Sequence, residues 1–334
     1  MARGPLRWTQ GSEEVTSGAE RVAAGELVAF PTETVYGLGA DATNIAAVAK
    51  IFELKGRPAD HPLIVHFGEP GAMGQWAIEI PDAARTLANR FWPGPLTIIL
   101  RKSARVPLEV TGGQDTVGLR CPSHPMAQDF LREFARIGSG AVAAPSANKF
   151  GHVSPTTAAH VRDEFGPDLF ILDGGACSVG LESTILDLSR GAPVLLRPGG
   201  ISRDEIGRAL GELPRSRDID APRASGMLDA HYAPRTALAL VEVSELAAEL
   251  RLPANVAVLA LGDPPPTAHV TSWIRADANP VAYGHELYAS LRKLDASGAK
   301  RILVELPPAT PEWEAINDRL MRAAAGTLPI DDEP

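Results

Sequence analysis

The chain has 334 residues, of which 45% are hydrophobic and 22% charged, so it can bury one large core or two smaller ones. Its 31 glycines and 29 prolines suit a loop-rich globular protein rather than a disordered one. A net charge of −9 speaks against a generally basic nucleic-acid surface, and two cysteines, Cys121 and Cys177, exclude a disulfide scaffold and a four-cysteine zinc site.

In chain order, Met1 to Gly11 carries Arg3 and Arg7 with no apolar stretch after them, so no targeting signal is expected there. Ser12 to Ala24 has helical spacing with Ser12 as N-cap. Leu27 to Phe30 is a strand that stops at Pro31, and Asn44 to Leu54 is a helix with Thr43 as its cap. Leu63 to Phe67 is a strand, Asp82 to Phe91 a helix capped by Asp82, and Leu96 to Leu100 a strand. Thr116 to Leu119 is a strand, Met126 to Arg136 a helix and Ala141 to Ala144 a strand. Thr156 to Glu164 is a helix, Leu169 to Leu172 a strand, and Thr184 to Leu188 pairs with Val194 to Arg197 ahead of a capped helix, Ser202 to Leu210.

Glu212 to Arg235 holds Pro214, Pro222 and Pro234 without periodicity, and reads as a linker. A second α/β pattern follows: strands at Ala237 to Val241, Val256 to Leu261, Val270 to Ile274 and Arg301 to Glu305. Helices fall at Ser244 to Leu250, Pro280 to Ser297 and Glu312 to Ala325. Pro264 to Pro266 is the one low-complexity tract. The expected fold is α/β: a strongly twisted mixed sheet over residues 12–211, a linker or lid over 212–236, and a smaller Rossmann-like domain over 237–330. No run of about 18 apolar residues occurs, so no membrane span is expected, and the expected compartment is the cytoplasm. The charge is uneven: residues 1–236 carry a net −3 and residues 237–334 a net −6.

Familiar catalytic signatures are absent. There is no P-loop, HExxH or GxSxG, and Gly37-Leu38-Gly39 lacks the third glycine of a dinucleotide fingerprint. Ser146 to Lys149 matches SxxK, but neither SDN nor KTG follows. What remains are six polar constellations, each with a plain alternative. Pro31 to Gly39 is a hydroxyl-rich loop after a strand, or a simple exit turn. Lys55-Gly56-Arg57-Pro58 suits polyphosphate oxygens, or merely a helix C-terminus that favours cations. Arg120 at a strand end could clamp a carboxylate or form a surface ion pair. Ser146 and Asn148, with Ser154 beyond, could read a phosphate or base edge, or make a turn. Glu182-Ser183-Thr184 with Arg197 could be an ordinary hairpin, and His231-Tyr232 could simply pin the linker.

Taken together and in order, PTETVYGLG, KGRP…PLIVHF, the GPLT of Gly94 to Thr97, TVGLRCP, APSAN, ESTILDL, LRPG and the linker HYAP resemble the YrdC-type threonylcarbamoyl-AMP synthases in their two-domain form. The resemblance implies formation of threonylcarbamoyl-AMP and pyrophosphate from L-threonine, bicarbonate and ATP with Mg2+. The product would supply downstream tRNA threonylcarbamoyl transferase proteins, with no tight nucleic-acid binding by this chain. Carried over, Thr34, His66, Arg120 and Ser183 hold threonine. Arg57, His61, Thr116, Ser146, Asn148, Ser154, Arg197 and Tyr232 meet ATP, and Lys55 and Arg57 act catalytically by neutralising phosphate charge. No separate protein metal site is implied. Two departures stand out: His61 replaces the family asparagine, and Ala224-Ser225-Gly226-Met227 replaces the usual Ser-Pro-Gly-Met. A carbamoyltransferase-type maturation factor would need more cysteines and a longer chain. An RNA-binding module would bind tRNA without threonine-dependent turnover.

Overall fold

The computed structural model describes residues 12–250, 255–265 and 269–327. The expectations for Met1 to Gly11, for Pro266 and for residues 328–330 lie outside them. Among the described residues no helix is long and apolar enough to cross a membrane.

The first sheet is mixed and has eleven strands. At its centre Leu96–Lys102 runs parallel to Thr184–Asp187 and antiparallel to Thr116–Arg120. Thr116–Arg120 lies parallel to Ile64–His66, which is antiparallel to Val142–Ala144. The parallel register sets His66 beside Arg120, so two side chains 54 positions apart leave the sheet at the same end.

Gly37–Asp41, expected as loop, is a strand between Val28–Phe30 and Val142–Ala144. Its glycines hid it from a pattern search but make the pairing possible. A Cβ on Gly39 would sit 2.5 Å from a Val142 methyl and 3.0 Å from the Phe30 ring. Phe30 is fully buried against Phe130, with centroids 5.3 Å apart, and such burial is worth about 1.5–3 kcal/mol.

Two helix caps differ from expectation. Asn44, not Thr43, accepts the Ala47 amide for helix Ile45–Lys55, because the Thr43 hydroxyl is bonded to Asp41. Asp82 is the first helical residue of Asp82–Phe91 rather than its cap, which is Pro81. Ser202 makes the full capping box with Glu205 that its sequence suggests.

The second sheet has four strands, all parallel, in the order Ala237–Val241, Arg301–Glu305, Val256–Ala260, Ser272–Arg275. Helices Pro280–Asp295 and Glu314–Ala325 carry its core, including Leu287, Leu291, Ile316 and Leu320. The linker is not featureless. Arg215–Ser216 extends the first sheet beside Val194–Arg197, and the chain then crosses the strand ends. Ser225 Oγ donates to the Pro62 carbonyl at 2.8 Å and the Ala233 amide to the Gly151 carbonyl at 2.8 Å.

Candidate active site

Six segments converge at the end of the first sheet: the loop after Val28–Phe30, Arg57 just past helix Ile45–Lys55, the ends of Ile64–His66 and Thr116–Arg120, the loop after Val142–Ala144, and Glu182-Ser183 with Arg197. The linker residues Ser225, Gly226, His231 and Tyr232 form the remaining wall. The cavity between them is about 50 Å³. That is far below the roughly 300 Å³ of an ordinary small-molecule site, so its walls stand close together.

Three buried guanidinium groups, Arg57, Arg120 and Arg197, line this one cavity. Arg120 Nη2 donates to Glu33 Oε1 and to Thr34 Oγ1, both at 2.8 Å, and Glu33 also accepts the Ser123 amide. Arg197 donates from Nε and Nη2 to the Ser183 carbonyl at 3.1 and 2.9 Å, and from Nη1 to the Ser225 carbonyl of the linker at 3.0 Å. Arg57 Nη2 reaches the Pro62 carbonyl at 3.1 Å and Ser225 Oγ at 3.5 Å. Burial lowers the Arg57 guanidinium to about 10, which leaves it charged at neutral pH.

Among the described residues, Arg57 Nε, Arg120 Nε and His231 Nδ1 are buried without a hydrogen-bond partner, and all three residues line the cavity. Unpartnered buried donors cost free energy unless a ligand or water satisfies them. His66 is buried with Nδ1 2.9 Å from the Ile64 carbonyl, which makes Nδ1 the protonated nitrogen of a neutral ring. Burial and the neighbouring Arg120 hold its pKa down at about 3.

Two expected phosphate contacts are turned elsewhere. Lys55 and Asn148 do not line the cavity. The Lys55 ammonium donates to the carbonyls of Ser146 (2.7 Å) and Asn148, beneath the loop, and burial depresses its pKa well below the usual lysine range. Asn148 Nδ2 donates to the Lys149 and His152 carbonyls at 2.7 and 2.9 Å. Both residues therefore shape the loop that presents Ser146. His61 also lies off the cavity wall, edge-on to Phe150 at 5.4 Å. Thr116 lines a narrow slot that shares Ile64 and Ser225 with the main cavity.

A protein-family model described as "Telomere recombination" matches residues 20–199, and one described as "Threonylcarbamoyl-AMP synthase, C-terminal domain" matches residues 201–325. The threonylcarbamoyl-AMP synthase of Pyrococcus abyssi is 40% identical, over 93% of this chain and 96% of its own length. That of Bacillus subtilis is 39% identical, over 94% of each. The solved structure of P. abyssi Sua5 complexed with L-threonine is similar with a TM-score of 0.84 and 38% identity, covering 95% of this chain and 96% of that one. The chain belongs to the two-domain threonylcarbamoyl-AMP synthases.

In the synthase, Glu33, Glu182, Ser225 and His231 line or support the site although the sequence assigned them no substrate role. Glu182 and His231 stood in motifs it did single out, and Ser183 was named for threonine. Glu33 orients Arg120, and its signal was adjacency to Thr34 in the PTET loop. Glu182 lines the cavity and accepts from Ser154 Oγ at 2.5 Å, Tyr288 Oη at 2.8 Å and Arg319 Nε at 2.8 Å. Ser183 Oγ is 2.7 Å from Thr97 Oγ1 and 3.2 Å from Arg197 Nη2. Ser225 and His231 belong to the linker wall, and nothing local in the sequence distinguished Ser225 from its neighbours. Among the described residues no group of three or more His, Cys, Asp or Glu side chains is placed to hold a metal ion.

Proposed function

We propose that this chain forms threonylcarbamoyl-AMP and pyrophosphate from L-threonine, bicarbonate and ATP. The product is passed to tRNA threonylcarbamoyl transferase proteins. The observation that carries this reading is the convergence of Arg57, Arg120 and Arg197 on one cavity, with Arg57 Nε and Arg120 Nε left without partners. A relative of 38% identity has been solved with L-threonine, which supports the amino-acid substrate.

Arg120, already aligned by Glu33 and Thr34, suits the threonine carboxylate through charge-assisted hydrogen bonds. Thr34, neutral His66 and Ser183 complete the amino-acid side. The amine adds to bicarbonate with loss of water to give a carbamate. A carbamate oxygen then attacks the α-phosphorus of ATP, and the bond to pyrophosphate breaks. No protein nucleophile is required. Arg57 and Arg197 stabilise the charge that moves to the departing pyrophosphate, and Ser146, Asn148 and Lys55 shape the wall beside it. Positioning of the two substrates supplies about 7–11 kcal/mol in favourable cases.

Glu33 and Glu182 are engaged by arginines, so the protein does not offer them as free cation ligands. The divalent ion of this ATP reaction, magnesium, fits best on phosphate oxygens and water. The linker residues Ser225, Gly226, His231 and Tyr232 wall the cavity beside Arg57 and Arg197, which supports a lid role for the linker. It withdraws from Arg197 and Arg57 to admit ATP and returns to exclude water from a labile mixed anhydride. Cys121 and Cys177 are buried and free, which suits the cytoplasm. The deciding experiment is pyrophosphate release from ATP with bicarbonate and magnesium. It should require threonine, and release of the same size without threonine would sink the reading.

A further inference from the structure

Arg319 is the one charged side chain of the second domain that is buried among the described residues, and it faces the first domain. Its side chain is 0% exposed, and its donors are spread over both sides of the boundary. Nε donates to Glu182 at 2.8 Å, Nη2 to the Pro198 carbonyl at 3.0 Å, and Nη1 to its neighbour Asp318. The guanidinium also stands over the Tyr232 ring, 5.1 Å from its centroid. Tyr288 of the same domain donates to the same Glu182 oxygen and stacks on Tyr232 with centroids 5.8 Å apart.

Glu182 presents a problem that these contacts solve. It is a buried carboxylate on the wall of a cavity built from arginines, next to Arg197. A bare negative charge there would repel a polyphosphate, and at low dielectric the repulsion is strong. Tyr232 presents a second problem. Its backbone is left-handed, φ 63°, which a bulky residue rarely adopts without help from its surroundings.

We propose that Arg319, assisted by Tyr288, is a positioning residue for the nucleotide side of the site. The second domain uses it to neutralise Glu182 and to fix Tyr232 in the cavity wall. The second domain thereby sets ATP affinity without touching ATP. Arg322, one turn on, ties the same helix to the linker: its guanidinium donates to the Leu228 carbonyl, and its carbonyl accepts the His231 amide at 3.1 Å. Burial works against the Glu182 charge, yet Arg319 and Arg197 outweigh it and hold the carboxyl down at about 2. The carboxylate is therefore ionised at every working pH, and its neutralisation depends on these cations.

This inference rests on the reading that ATP lies against Arg57 and Arg197, and wild-type turnover tests that reading first. With turnover established, Arg319→Met is expected to raise KM for ATP about tenfold or more while KM for threonine stays within about twofold. Adding Glu182→Gln to Arg319→Met removes the orphaned charge; the amide oxygen still accepts from one of the Ser154 and Tyr288 hydroxyls, and the amide nitrogen donates to the oxygen of the other. That double variant should recover most of the lost ATP affinity, which a merely structural role of Arg319 would not predict. Tyr288→Phe deletes a single hydroxyl and should raise KM for ATP about threefold with the fold intact by thermal unfolding. Equal rises in both KM values, no recovery in the double variant, or a Tyr288→Phe enzyme with wild-type KM for ATP would each overturn the proposal. If Arg319→Met does not fold, the Tyr288→Phe result alone decides.

Discussion

The two domains bury different things. Apart from Ser290 and Arg319, the described buried polar and charged residues lie in the first domain and the linker. The second domain nevertheless has the roomier cavity, about 740 Å³, beside the ends of Val256–Ala260 and Ser272–Arg275. Its cations Arg275 and Lys293 are exposed, and Arg275 is already paired with Asp263 at 3.1 Å. The arginine cavity of the first domain is far smaller, yet it holds guanidinium nitrogens that have lost water and gained nothing. Unpartnered buried polar atoms occur in both, since among the described residues the Tyr283 hydroxyl of the larger cavity also lacks a partner. What sets the smaller cavity apart is the convergence of three buried guanidinium groups on one volume.

The largest test of this contrast is a pair of truncations. Arg120→Ala should raise KM for threonine about a hundredfold or more, well beyond its effect on ATP. It should also lower stability by about 3–5 kcal/mol, because Glu33 is left buried and unpaired. The same truncation of Arg275 in the larger cavity should leave both KM values within about twofold. Steady-state kinetics and chemical unfolding check both.

A second test uses pH. His66 and His231 are buried, the first in the first domain and the second in the linker, and burial lowers each to about 3 from an ordinary 6.5. The unfolded chain binds more protons than the folded one between those values, so stability is complete above about pH 6.5 and is lost as pH falls towards 3. At pH 5 each ring should cost about 2 kcal/mol. Unfolding midpoints should therefore begin to fall below pH 6.5, and His66→Gln should flatten that slope. A midpoint that stays level down to pH 4.5 would contradict the buried neutral rings.

Smaller effects are expected at the seam. Gly226 has φ 73°, and a Cβ there would meet the Tyr232 hydroxyl at 2.0 Å. Gly226→Ala should displace the linker, raising KM for ATP severalfold with less than about 2 kcal/mol of stability lost. The smallest effect should come from His61→Asn, at a position off the cavity wall. ATP affinity should change by no more than about threefold, and a larger gain in an ATP titration would place His61 at the nucleotide after all.

Much of this was legible in the sequence because the chemistry sits in contiguous loops. Pro31 to Gly39, Arg120, Ser146, Ser183 and Arg197 could be named from motifs, and the structure draws them to one sheet end. Both α/β patterns could also be read from alternation. The strand Gly37–Asp41 was hidden because its glycines serve packing, not apolar periodicity. Lys55 and Asn148 stood in phosphate-like motifs, but side-chain direction is set by the loop carbonyls they satisfy. Arg319 had no local signal at all. Its partner Glu182 lies 137 positions away, and only docking of the two domains brings them together.

The pairing of His66 with Arg120 across two parallel strands also limits how the gene can drift in length. One residue inserted within Ile64–His66 or Thr116–Arg120 would turn the downstream side chain to the opposite face of the sheet. One residue inserted in the turn at Ser103 to Pro107 would leave both where they are. Gaps and additions are thus expected to collect in such turns, while the spacing inside the two short strands stays fixed.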